Sequence, residues 1–325
     1  MPLDTDILLV GAGPTGLYGA YCAGFRGLST VVVDGLPQPG GQIAALYPEK
    51  EILDVAGLPR VRGRDFVSAL LDQADRYRPE YLLGRQAVTL TRDDEGCPEV
   101  TLSDGQVIRA GAVILTAGIG TFTPRRLPAG EDFLGRGLSY FVTDPDVHTG
   151  QNVLVVGGGD SAVDWALALE PIAKSVTLVH RRSAFRAHAA SVTAVTEGGT
   201  RIVTDAEVEA LAGESMLRLA HVRVRGEELP RVFEVDAVIA ALGFVSNLGP
   251  VAGWGLRLRG RSILVDSRMR TSLDRVYAAG DVTEYEGKVR LMSVGFGEVA
   301  TAVNNAAVTL DPELSLFPGH STENS

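Results

Sequence analysis

Cysteine is scarce in this chain of 325 residues: Cys22 and Cys97 are the two present, 75 positions apart, with no CxxC and no metal-ligand spacing. A disulfide framework is therefore excluded, and two inert thiols are expected, Cys22 packed in the first helix and Cys97 in a turn beside Pro98. Histidine is also thin. His148, His180, His188, His221 and His320 are scattered, none at zinc or iron spacing, so no metal is expected. No apolar run approaches the roughly 18 residues of a membrane span. The first residues, MPLDTD, are acidic where a secretory signal would be basic, which points to a cytoplasmic protein. Positive charge is short as well, and a formal net charge of -10 argues against nucleic acid as a partner. An acidic partner would need a local basic patch, which Lys50, Arg60, Arg62 and Arg64 offer; a solvated arginine-rich surface explains the same residues.

Glycine, by contrast, is plentiful: 38 residues, well above the ordinary usage of about 7%. Two glycine-rich turns have one design. In the first, strand Ile7 to Val10 runs into GAGPTG, then into a helix with Leu17, Ala20, Tyr21 and Gly24 on one face, then into strand Thr30 to Val33, which ends in Asp34. Gly11 makes the turn, Gly13 admits a pyrophosphate, and Gly16 lets the helix pack closely, with Thr15 in the first turn. The helix N-terminus offers free N–H groups and the positive end of the dipole to the phosphates. In the second, strand Val153 to Val156 leads to Gly157, Gly159, Asp160, Ser161 and Ala162, then to a helix with Ala162, Trp165, Ala166 and Leu169 inward, then to strand Ser175 to Val179.

From Gly11 to Asp34 is 23 positions, and from Gly157 to His180 is again 23. The two units are in register, so their ribose ends can be compared. Asp34 is suited to accept hydrogen bonds from a ribose hydroxyl, as in sites for FAD or NAD; the second unit has HRRSAFR, with Arg181, Arg182 and Arg186. A carboxylate repels a 2′-phosphate, and guanidinium groups bind one through charge-assisted forks. The first pocket reads as FAD and the second as NADPH. The competing reading is a decayed second repeat with a solvated arginine face.

Val113 to Leu115 runs into TAGIGTF and Val238 to Leu242 into GFVSN, strands followed by glycine where one domain gives way to another. Gly118, Gly120 and Gly243 are candidate hinges. The expected organisation is α/β with two Rossmann-like dinucleotide-binding domains: residues 1–120 as the first part of an FAD domain, 121–245 as an inserted NADPH domain, and 246–325 as the second part of the FAD domain. LDRVYAAGD, ending at Asp281, would reach the ribityl and phosphate portion of the flavin, and GFGEVATAVNNA begins a helix behind it.

Over nearly its whole length the chain resembles the two-dinucleotide flavoproteins that include thioredoxin reductase. Those proteins carry a CxxC ahead of the second glycine motif; here the corresponding residues are Tyr140 to Thr143, YFVT, which excludes dithiol chemistry. GGQIAALYPEKEILDVAGLP, the run from Gly280 through YEGKVRLM and GFGEVATAVNNA, and the terminal HST at His320 to Thr322 resemble more closely the ferredoxin-NADP⁺ reductases of thioredoxin-reductase-like fold. That resemblance implies that Tyr47 stacks on one face of the isoalloxazine and that His320, on a C-terminal tail of the same or a partner subunit, covers the other. It also implies FAD contacts at Asp34, Gln42, Tyr47, Val88, Phe122, Asp281 and Thr322, a homodimer, and hydride transfer from NADPH to FAD followed by single-electron steps to ferredoxin or flavodoxin. A reductase of free flavin, quinone or another small acceptor, and a flavin redox sensor without turnover, are the alternatives.

Overall fold

The structure, a computed structural model, describes residues 2–118, 120–142 and 144–320, and of residues 121–123 and 245–246 the backbone alone. The chain forms two compact units, one made of Met1–Thr121 with Ser246–Ser325 and the other of Phe122–Val245.

The first unit is built on β1 (Leu3–Val10), α1 (Pro14–Phe25), β2 (Thr30–Asp34), α2 (Gly41–Leu46) and β3 (Val107–Leu115). β1 lies between β2 and β3, parallel to both, with Val10 beside Val33 and Leu115. The three strands thus end together, and Gly11, Asp34 and Thr116 emerge at one carboxyl edge, where open α/β sheets bind ligands. Strand Glu80–Leu83 extends the sheet beyond β2, and the hairpin of Ala87–Arg92 with Pro98–Leu102 extends it beyond β3.

β1 is apolar on both faces because both are covered. Leu8 and Val10 enter one core with Val33, Val113 and Leu115, while Ile7 and Leu9 enter the other with Val32 and Ile114. The sequence predicts β1 from Ile7; it starts at Leu3 because Leu3, Asp4 and Thr5 pair with Ile108, Arg109 and Ala110. α1 has Pro14 in its first turn and ends in a Schellman motif, with Gly27 at φ 75° and Leu28 N bonded to Ala23 O at 3.0 Å. Its inward face is Leu17, Ala20 and Ala23, joined by Gly16, Gly19 and Cys22. Tyr21, predicted on that face, is half-buried against the same core and also joins an aromatic row with Tyr18, Phe25 and Tyr77.

The second unit repeats the plan with β4 (Asn152–Val156), α3 (Asp160–Leu169) and β5 (Ser175–Val179). Its parallel sheet runs Leu138–Ser139, Ala237–Ala240, β4, β5, Arg201–Val203, and a separate antiparallel sheet of three strands spans Ala206 to Glu234. Ala162, Val163, Ala166 and Leu169 of α3 are buried and Trp165 is half-buried. Gly118, Gly120 and Gly243, beside the two crossings of the chain between units, have φ of 58°, 77° and 80°.

The last part of the first unit holds β6 (Leu258–Arg259), β7 (Ser262–Leu264), strand Val276–Ala278, β8 (Thr283–Glu284) and α4 (Met292–Leu310). Val276–Ala278 pairs with the end of β3, Ala278 beside Leu115, and so brings Gly280 and Asp281 to the same carboxyl edge. β7 lies between β6 and β8. α4 packs on α1 so closely that a Cβ on Gly19 would stand 2.7 Å from Val299.

Candidate functional site

The first glycine turn does three separate jobs. Gly11 has φ 119°, and a Cβ there would lie 2.6 Å from the Thr116 carbonyl. Gly16 is tighter: its Cβ would meet Gly11 O at 1.8 Å, so helix and strand can approach only with hydrogen in this place. Gly13 differs, since a Cβ would find only the Gly41 Cα, at 3.9 Å. Packing therefore demands Gly11 and Gly16, while the space over Gly13 is left for something other than protein. Gly13 is also the N-cap of α1 and bears no side-chain cap, which suits an anion at the helix start.

Asp34 is mostly buried at the end of β2, and its carboxylate accepts Ala12 N at 2.6 Å and Leu36 N at 2.8 Å. Burial raises its pKa, against the lowering effect of these two bonds. The turn around Asp34 is thus fixed to the glycine loop before any ligand arrives. Gln86 touches Gly35, its Cγ 3.3 Å from the Cβ position, and Val88 follows two residues later with its carbonyl bonded to Trp254 Nε1 at 3.0 Å.

A second group converges on Thr15. Gly280 and Gly295 leave notches in which the Thr15 Oγ1 sits, 2.9 and 2.8 Å from their Cβ positions, so the Asp281 turn and the first turn of α4 both meet the start of α1. Tyr47 caps α2. Burial raises its phenol pKa, followed by the negative charges of Asp281 and Asp54, which puts Tyr47 and Asp281 in one locality. Gln42 Nε2 lies 3.6 Å from the Cβ position of Gly118. Gly11, Gly13, Thr15, Gly16, Asp34, Gln42, Tyr47 and Asp281 are therefore gathered on the carboxyl side of this sheet.

The chain just before His320 is held elsewhere. Arg26, at the far end of α1, holds Ser315 O at 2.8 Å and Leu316 O at 3.3 Å, and α1 is 12 residues long, about 18 Å at the usual rise. The tail is thus tied to the helix end remote from Gly13, and the His320 ring meets Phe317 edge-on at 5.1 Å. The Phe122 side chain and all of Thr322 lie outside the described residues.

Sequence reasoning missed the support beneath Asp281. Glu298, on α4, accepts Gly280 N at 2.7 Å and Tyr285 OH at 2.6 Å and is paired with Lys288 Nζ, which also donates to Gly280 O at 3.0 Å. The side chains of Lys288 and Glu298 are only 2% and 4% exposed. The Tyr285 phenol is pushed up to about 12, by desolvation first and then by Glu298. Lys288 and Glu298 both stand in the quoted YEGK and GFGE runs, but nothing local says that they meet.

In the second unit, a Cβ on Gly157 would meet Ala241 O at 2.4 Å, and Gly159, the N-cap of α3, has nothing within 4 Å of its Cβ position. Asp160 Oδ1 accepts His188 N at 2.8 Å, and Ser161 is exposed. Arg181, Arg182 and Arg186 are exposed beyond β5, with Arg186 N fixed to Gly158 O at 2.7 Å. His180 is a further find. Its buried ring stacks on Phe185 at 5.2 Å and lies against Gly158; burial lowers its pKa, and the three arginines lower it further.

Both cysteines are free: Cys22 is buried, which pushes its thiol up to about 12, and Cys97 faces Arg275 Nη1 at 3.3 Å. Donor atoms of Asp93, Glu95 and Cys97 fall within 4.8 Å of one another, but Arg109 binds both carboxylates, at 2.5 and 2.6 Å, so the group is an ion-pair cluster. At the CxxC-equivalent stretch, the Tyr140 hydroxyl accepts Leu127 N at 3.0 Å and Phe141 stacks on Phe244.

The chain belongs to the pyridine nucleotide-disulphide oxidoreductase family, which it matches over residues 5–306. Its fold is that of thioredoxin reductases: the enzyme of T. acidophilum superposes with a TM-score of 0.80 at 25% identity over 96% of this chain and 99% of that one, and the Lactococcus lactis enzyme with 0.79 at 23% over 95% and 100%. In sequence it is 57% identical to the ferredoxin–NADP reductase of a Nocardioides species and 58% identical to that of Saccharopolyspora erythraea, each over 99% of this chain and 98% of the relative.

Proposed function

We propose that this chain is an FAD-dependent ferredoxin–NADP⁺ reductase, passing electrons between NADPH and ferredoxin or flavodoxin. The observation that carries the reading is the pair of glycine turns in common register with a carboxylate at one ribose end and three guanidinium groups at the other; the names of the full-length relatives agree with it. When bound, FAD accepts a hydride from NADPH and releases electrons singly to a carrier, and the protein's part is to bind and orient.

In this reading the amides at Gly13 and Thr15 and the start of α1 hold the pyrophosphate of FAD, Asp34 accepts from the adenosine ribose, and Val88 borders the adenine. Asp281 binds the ribityl chain, Gln42 and Phe122 the flavin surround, and Tyr47 stacks on the isoalloxazine. Gly157, Gly159, Asp160 and Ser161 receive the pyrophosphate of NADPH, and Arg181, Arg182 and Arg186 its 2′-phosphate. Because Arg26 ties the tail to the remote end of α1, His320 and Thr322 serve the flavin of a partner subunit in a homodimer. No described helix is long and apolar enough to cross a membrane, and we place the enzyme in the cytoplasm.

Purification should give a yellow protein that reduces ferredoxin with NADPH, followed through cytochrome c. Arg181→Ala with Arg182→Ala should raise KM for NADPH about 100-fold or more, as the loss of two charged hydrogen bonds worth roughly 1.5–3 kcal/mol each requires, and leave NADH use nearly unchanged. Equal losses with both nucleotides would reject the 2′-phosphate role. Steady reduction of quinones with none of ferredoxin would transfer the chain to the small-acceptor class.

A further inference from the structure

A chain of net charge -10 repels an acidic carrier at long range unless its positive charge is gathered locally. The set at Arg60, Arg62 and Arg64 is met by its own carboxylates: Arg60 stands 3.7 Å from Glu51, and Arg62 and Arg64 stand 3.9 and 3.0 Å from Glu49. Its charge is offset in part within the chain, two carboxylates meeting three guanidinium groups.

A different set lies on the outer face of the β6-β7-β8 sheet. Gly260, at φ 62°, and Arg261 turn β6 into β7, placing Arg259 opposite Ser262. Arg257 continues the pairing through its carbonyl, which accepts Leu264 N at 2.9 Å, and by strand alternation it shares the face of Arg259; Ile263 turns inward and is fully buried. Arg290 reaches the same face, its Nη2 3.3 Å from Ser262 Oγ and 3.1 Å from Glu284, while Arg259 stands 3.9 Å from the other oxygen of Glu284. All four arginines are exposed. Glu284 and the loop residue Glu286 are the acids that this stretch sets against them, and Asp266 nearby is bonded to the backbone N–H groups of Arg268 and Arg270.

Two further observations give the face a purpose. Val289 and Leu291, on either side of Arg290, are 53% and 43% exposed, apolar residues within a charged rim, as transient protein interfaces have. β7 also leads directly to the flavin turn, because Ile263 N donates to the carbonyl of Val282, the neighbour of Asp281, at 2.8 Å. We propose that an acidic one-electron carrier protein docks on this face, its carboxylates meeting Arg257, Arg259, Arg261 and Arg290 around Val289 and Leu291. The assignment rests on the reductase reading and specifies where its protein partner binds.

The test uses the flavin-loaded enzyme, an acidic ferredoxin, and menadione as a small uncharged acceptor. Arg259→Glu with Arg290→Glu should raise KM for ferredoxin about 10-fold and flatten its dependence on salt, with NADPH-menadione turnover unchanged as the check on folding. The milder Arg261→Ser should raise KM about threefold, and Arg60→Glu with Arg64→Glu should leave it within about twofold. Ferredoxin kinetics unaltered by the reversals at Arg259 and Arg290, or altered equally by those at Arg60 and Arg64, would overturn this docking face and leave the reductase reading standing. A wild-type enzyme that reduces menadione but not ferredoxin would overturn the reductase reading and this face together.

Discussion

At the scale of single residues, two glycines of one motif answer to different forces. Gly16 is held by packing, since any Cβ collides with Gly11 O, whereas a Cβ on Gly13 touches almost nothing of the protein. Gly16→Ala should therefore destabilise the fold by a few kcal/mol, the range of overpacked sites, and show a lowered Tm with or without added FAD. Gly13→Ala should leave the Tm of the flavin-free protein within a degree or two and weaken FAD binding at least 10-fold by fluorescence titration; unchanged FAD affinity would remove Gly13 from the pyrophosphate site. His180 makes a pH-dependent contribution. Its folded pKa lies below the ordinary value near 6.5 because burial and Arg181, Arg182 and Arg186 oppose its protonation. The unfolded chain therefore takes up the proton first as pH falls below about 6.5, and stability is lost from there down to the folded pKa. Unfolding midpoints between pH 7.5 and 5.5 should fall less steeply in His180→Asn than in the wild type.

At the scale of elements, the position of Asp281 is decided by α4. The buried pair of Lys288 and Glu298 grips both the N–H and the carbonyl of Gly280, so that the turn before Asp281 is fixed from behind. Removing one member of such a pair costs about 3–5 kcal/mol because the other is left buried and uncompensated. Glu298→Ala should lower Tm and FAD affinity together, and Lys288→Met combined with Glu298→Gln should recover Tm by more than the sum of the single changes allows. If FAD affinity stays at the wild-type level while Tm falls, the pair supports the helix alone, and the Asp281 turn is not part of the FAD site. This network was illegible in the sequence. Its two runs could be quoted, but their meeting requires β8 to return α4 beneath a turn set by strand Val276–Ala278.

For the whole molecule, the feature of most consequence is the tail. Arg26 binds Asn304 Oδ1 at 3.1 Å as well as two tail carbonyls, joining the end of α1, α4 and residues 315–316. Arg26→Ala should free the segment after Asp311 to proteolysis, and removal of His320 onward should change the reactivity of the flavin while FAD stays bound. If the tail serves a partner subunit, mixing a tailless enzyme with one bearing Tyr47→Ala should give heterodimers in which one site is complete; activity equal to the average of the parents would confine each tail to its own chain. Light scattering that returned a monomer would end the shared-tail reading at once.

The sequence by itself determined the two glycine turns, their common register, the opposite charge that follows their second strands and the lack of a CxxC, because each is a local pattern: strand, turn, helix and the residues that end the next strand. It also indicated the strands that flank those turns, though not their lengths, as β1 shows by gaining Leu3, Asp4 and Thr5 from pairing with β3; the hairpin of Ala87–Arg92 with Pro98–Leu102 and the antiparallel sheet from Ala206 to Glu234 went unread. Only the tertiary structure decided that Lys288 and Glu298 lock Gly280, that Arg26 carries the tail away from Gly13, that Glu49 and Glu51 offset the first basic set in part, and that Arg259 and Arg290 share a face. Each of those is a contact between residues brought together by packing distant elements, and spacing along the chain holds no record of it.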